Sequence, residues 1–148
     1  MISHPYLRAF LAGVFVPTLI LPGLLLLFLL VRYAYQPGFP VERGLIFPMS
    51  LIPALWGLWN VLWKWSNPGT HLSVGAHGAI LPLLLLPAGT FIGTALGILQ
   101  LGSQSVTWFQ AIHVPYALIA LLFAAVLAAY YLVWKYVVGF VNRTLGIA

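Results

Sequence analysis

Apolar residues fall into four long runs along this chain, over 9–31, 45–63, 76–99 and 114–134, with short, more polar connections between them. Each run is close to the ~20 residues that a helix needs to cross a hydrocarbon layer about 30 Å thick. The pattern predicts an all-α, polytopic integral membrane protein with four transmembrane helices. The connections, 32–44, 64–75 and 100–113, are too short to fold alone, so 1–148 is expected to form one transmembrane domain. The first run follows Arg8, as a signal peptide would, but it exceeds the usual ~7–15-residue apolar core and ends without a small-x-small cleavage site. A retained helix is expected there.

Composition strengthens this reading. Hydrophobic residues make up 63% of the 148 positions and charged residues 5%, with a mean hydropathy of +1.07. A soluble domain carries about a quarter charged residues, so lipid must be the solvent for most of this chain. Arg8, Lys64, Lys135 and Arg143 flank the runs on one side, and Arg32 and Arg43 on the other. By the positive-inside rule both termini are expected in the cytoplasm, and a bacterial inner membrane is the expected location. The formal charge of +5 comes from basic residues scattered at helix ends, where they meet lipid headgroups, and no patch suited to nucleic acid is formed.

Proline and glycine supply internal order. Gly13-x3-Pro17-x4-Pro22 in the first run recurs as Gly78-x3-Pro82-x4-Pro87 in the third, 65 residues on, which suggests a weak two-hairpin repeat over 1–66 and 67–148. Each interior proline removes a backbone donor and crowds the carbonyl four residues back, so bent helices are expected, with Thr18, Ser50 and Thr90 near enough to satisfy freed groups. Gly89, Gly93 and Gly97, four apart, form a stripe over which another helix can approach closely, within the subunit or between subunits.

Candidate chemistry is sparse. Trp56, Asn60 and Trp63 share one helical face with Trp59 beside them, and deep indole and amide groups need partners from protein, water or ligand. With Thr90, Thr94, Arg32 and Arg43, these residues are the candidate pore or ligand face. His77 and His113 are the candidate axial ligands of a tetrapyrrole; expected at opposite membrane faces, they cannot serve one haem together. No metal site, and no cofactor beyond lipid, is predicted. Glu42 is the only acidic residue and lies outside the runs, and there is no cysteine, so proton-coupled transport, an acid-containing triad and thiolate chemistry are not expected within one subunit. The chain is therefore expected to be non-enzymatic. The first expectation is a homo-oligomeric pore or passive channel. The alternatives are an accessory subunit of a larger respiratory or photosynthetic membrane complex, holding pigment, quinone or lipid, and a lipid-handling protein.

Overall fold

The computed structural model describes residues 4–38 and 40–147, and at 41, 43–45, 47, 48 and 70 the backbone alone. The side chains of Arg43 and Pro48 therefore lie outside the described residues.

The molecule is mostly helical. Helix α1, Pro5–Leu30, starts on a proline, whose missing N–H would have no helical partner at that position. It stays helical through Pro17 and Pro22, passes into a π-helical turn, Val31–Tyr35, and stops at Gln36, which is left-handed with φ 43°. Helix α2, Val41–Thr70, has Glu42 in its first turn, where a carboxylate faces the positive end of the helix dipole, and closes at left-handed His71. The Ser73 side chain accepts from the Ala76 N–H at 3.2 Å and caps α3, Val74–Ala95. Helix α4, Tyr116–Val133, continues through a second π-helical turn, Trp134–Val138, into α5, Gly139–Thr144.

Three helical stretches, Pro5–Tyr35, Val74–Ala95 and Tyr116–Thr144, are long and apolar enough to cross a membrane. Helix α2 is a fourth long helix, of 30 residues, between the first two of them.

An all-α chain is corrected by the third connection, which folds into a sheet. Strands β1, Leu99–Leu101, β2, Ser105–Trp108, and β3, Ile112–Pro115, form an antiparallel meander in the order β1-β2-β3. The register sets Leu99 opposite Trp108 and Val106 opposite Val114. Alternation then puts Leu99, Leu101, Val106, Trp108, Ile112 and Val114 on one face and Gln100, Thr107 and His113 on the other. Two helix boundaries move as a result. Helix α3 ends at Ala95, and the fourth run becomes helical only at Tyr116, so His113 lies on a strand rather than at a helix start.

α1 packs chiefly on α2, and α3 on α4 with its π-helical continuation. Burial repeats along the two hairpins. In α1 the buried residues are Ala9, Ala12, Gly13, Val16, Pro17 and Phe28, and in α3 they are Gly75, His77, Gly78, Leu81, Pro82 and Gly93. Ala12, Gly13, Val16, Pro17 and Phe28 thus correspond to His77, Gly78, Leu81, Pro82 and Gly93 at the 65-residue offset of the glycine and proline motif.

Both motif glycines are sites of close approach. A Cβ on Gly13 would collide with the Trp56 carbonyl of α2, and one on Gly78 would collide with the Trp134 ring. Thr18 and Thr90 each donate to the carbonyl four residues back, Val14 and Leu86, at 2.8 Å. Those are not the carbonyls that Pro17, Pro22, Pro82 or Pro87 leave without their helical donor.

Candidate functional site: a polar and aromatic joint

One side of α2 carries a tryptophan or asparagine at nearly every turn between Trp56 and Trp63, and in the fold each of these residues reaches a different segment of the chain. Asn60 and Asn142 are fully buried and bond reciprocally, Asn60 Nδ2 to Asn142 Oδ1 at 2.8 Å and Asn142 Nδ2 to Asn60 Oδ1 at 3.0 Å. Asn60 Nδ2 also donates to the Ala9 carbonyl at 2.7 Å, so one amide ties α1, α2 and α5 together. A buried amide without partners is costly, and the matched pair removes that cost on both helices at once.

A second connection joins α2 to α3. Trp59 Nε1 donates to the His77 carbonyl at 2.8 Å, His77 Nε2 lies 2.9 Å from the Trp59 carbonyl, and the two rings stack with centroids 4.6 Å apart. Trp56 Nε1 donates to the Tyr130 hydroxyl of α4 at 3.3 Å, and Trp63 Nε1 to the Leu72 carbonyl at 3.1 Å. Trp134, fully buried on Gly78, lies 5.2 Å from the Trp56 ring and edge-on to His77 at 6.2 Å. Its Nε1 has no hydrogen-bond partner among the described residues.

The apolar packing is found at the same level. Val16, Trp56, Leu81, Trp134 and Val138 form one buried cluster, and Ala9, Ala12, Trp63 and Ile147 form another. Below them Lys64 Nζ donates to the Ile147 carbonyl and Arg8 Nη1 to the Leu145 carbonyl, so two basic side chains cover the end of α5.

The remaining candidates lie elsewhere. Thr90 and Thr94 bond to carbonyls of their own helix, at Leu86 and at Thr90 and Phe91. Gly89 faces open space, Gly93 is covered by the Leu99 side chain, and Gly97 lies beyond the helix with φ 68°. The three glycines therefore do not form one helical stripe, because the helix ends before Gly97. His113 Nδ1 lies 2.8 Å from Thr107 Oγ1 on the polar face of the sheet, so the two candidate histidines stand in unrelated settings. Arg32, a candidate for the pore or ligand face, pairs with Glu42 at 3.0 Å, which offsets its charge.

Asn142 and Trp134 were not among the sequence candidates. Trp134 is the last residue of the fourth apolar run and Asn142 lies beyond it, although both belong to one continuous helical stretch, Tyr116–Thr144, whose extent the run understates. Compared with known proteins, the chain matches no protein-family model, no curated protein and no solved structure.

Proposed function

We propose that this chain is a non-enzymatic membrane assembly protein whose four long helices, α2 included, span the bilayer, and which forms homo-oligomers through α4. The supporting observation lies on α4, where lipid can solvate the large apolar side chains and a line of small residues is the feature suited to a specific helix contact. Ala120, Ala124 and Ala128 recur on it every fourth position, all exposed, giving a smooth strip on which a second helix can approach closely. Gly89 on the neighbouring α3 is open as well. Where identical chains associate, a closed symmetric arrangement is the common one.

Arg8 and Lys64 gather at one end of the bundle and Arg32 at the other, a distribution that favours both termini being cytoplasmic; a bacterial inner membrane is the proposed location. The Asn60–Asn142 pair and the tryptophans bond within the subunit, so a passive path through the assembly would run between subunits.

Light scattering of the purified chain in mild detergent is expected to give a discrete multiple of the 16.2 kDa protomer. Ala124→Leu is expected to reduce that mass while helicity and tryptophan fluorescence stay unchanged. A wild-type monomer would overturn self-association; a monomer that recovers a high mass only with foreign proteins from native membranes would favour the accessory-subunit reading.

A further inference from the structure

At the opposite end of the α1–α2 hairpin from the polar joint lies a half-open cavity of about 470 Å³, lined by Phe28, Leu29, Arg32, Tyr33, Gln36 and Glu42. Its volume falls within the ~300–1,000 Å³ range of small-molecule sites. Local backbone structure creates it. The π-helical turn Val31–Tyr35 changes the direction in which Arg32 and Tyr33 project, and left-handed Gln36 reverses the chain so that Glu42, in the first turn of α2, comes back opposite Arg32.

The lining joins two chemistries. Phe28, 8% exposed, and Leu29 form an apolar floor continuous with the membrane-crossing part of α1. Arg32 and Glu42 provide one positive and one negative group, with side chains 41% and 43% exposed. Arg32 uses Nε toward Glu42 and Nη1 toward the Pro37 carbonyl at 3.2 Å. A guanidinium bound in this way can still present N–H groups to a phosphate, and a carboxylate that accepts from one side can accept an ammonium on the other.

We propose that this cavity binds the headgroup of an ethanolamine phospholipid: Arg32 takes the phosphate, Glu42 takes the primary ammonium, and an acyl chain lies along Phe28 and Leu29. The ligand class follows from the paired charges. A purely anionic headgroup would bring net negative charge against Glu42, and choline would offer Glu42 no N–H. The position at the end of a membrane-crossing helix is where headgroups lie, which favours a lipid over a soluble phosphate ester.

The test is native mass spectrometry of the full chain in detergent, titrated with palmitoyl-oleoyl phosphatidylethanolamine, phosphatidylcholine and phosphatidylglycerol. Wild type should retain the ethanolamine lipid roughly tenfold more strongly than either other lipid, a difference of the size expected from one charge-assisted hydrogen bond. Arg32→Gln should lower retention of all three lipids. Glu42→Gln should abolish the preference for ethanolamine over glycerol while binding persists, which keeps the test informative if Arg32→Gln fails to fold. Arg143→Gln, at the other end of the bundle, should change nothing. Equal binding of the three lipids by wild type, or an unchanged preference in Glu42→Gln, would overturn the proposal. Displacement of the lipid by soluble phosphoethanolamine at equal concentration would overturn its assignment to a lipid.

Discussion

The two ends of the bundle use the same residue types differently. At the end bearing the chain's N-terminal helix start, α1, α2, α3 and α5 meet through buried tryptophans, a matched asparagine pair and glycines pressed against neighbouring backbone or ring atoms. Toward the other end, burial in α1 beyond Pro17 is confined to Phe28, in α3 beyond Pro82 to Gly93, and in α4 it is absent. The difference follows from what lipid can solvate. Leucine is as well placed against an acyl chain as against another leucine, so long apolar segments have little reason to pack on each other, whereas amides and indoles gather where they can find partners. Specific structure concentrates where the sequence is least uniformly apolar.

The strongest test of that contrast is one substitution made at both ends. Gly13→Ala and Gly78→Ala should each destabilise by about 1–3 kcal/mol, since the added methyl meets the Trp56 carbonyl or the Trp134 ring and neither has room to yield. Gly89→Ala, where a Cβ meets nothing within 4 Å, should be neutral or stabilising by up to about 1 kcal/mol. Unfolding in mixed micelles with increasing dodecyl sulfate, followed by tryptophan fluorescence, measures all three. Equal losses at the two ends would remove the distinction.

A smaller effect is expected at the amide pair. Asn142→Leu leaves Asn60 with the Ala9 carbonyl alone and should cost about 1–2 kcal/mol. Adding Asn60→Leu should cost less than the sum of the two single changes, because the second substitution removes the group left unpaired. Strict additivity in the same titration would mean that the pair is not coupled. The smallest effect belongs to Trp134→Phe, which keeps a ring against Gly78 and removes an indole N–H that has no described partner. Lost packing and a relieved polar group oppose each other, and a net change within about 1 kcal/mol is expected.

Much of the helical layout was legible in the chain. Apolar runs marked three membrane-length helices and the long α2, and the spacing of Trp56, Trp59, Asn60 and Trp63 marked the face from which the connections between the hairpins arise. The Gly13 and Gly78 motif pointed to the close approaches, although it was read for its prolines. The sheet was the main omission. Leu-Gln-Leu, Ser-Val-Thr-Trp and Ile-His-Val-Pro alternate with a period of two, but each strand is only three or four residues long. The turn between β2 and β3 carries left-handed Phe109 and Gln110, with φ 52° and 58°, where an Asn-Gly or Asp-Gly pair would have announced a hairpin. The partner of Asn60 was hidden for a different reason: hydropathy places residues in the membrane and does not tell which helices lie side by side.

The asparagine pair also sets a schedule for biosynthesis. Residue 142 follows residue 60 by 82 positions, so α1 and α2 are both synthesised well before the amide partner of Asn60. At ~5–20 residues per second, Asn60 waits about 4–16 s for Asn142. Through that interval the Ala9 carbonyl, already made and on the adjacent helix, is the partner within reach. The first hairpin thus carries its own provisional acceptor for a buried amide until the last helix arrives.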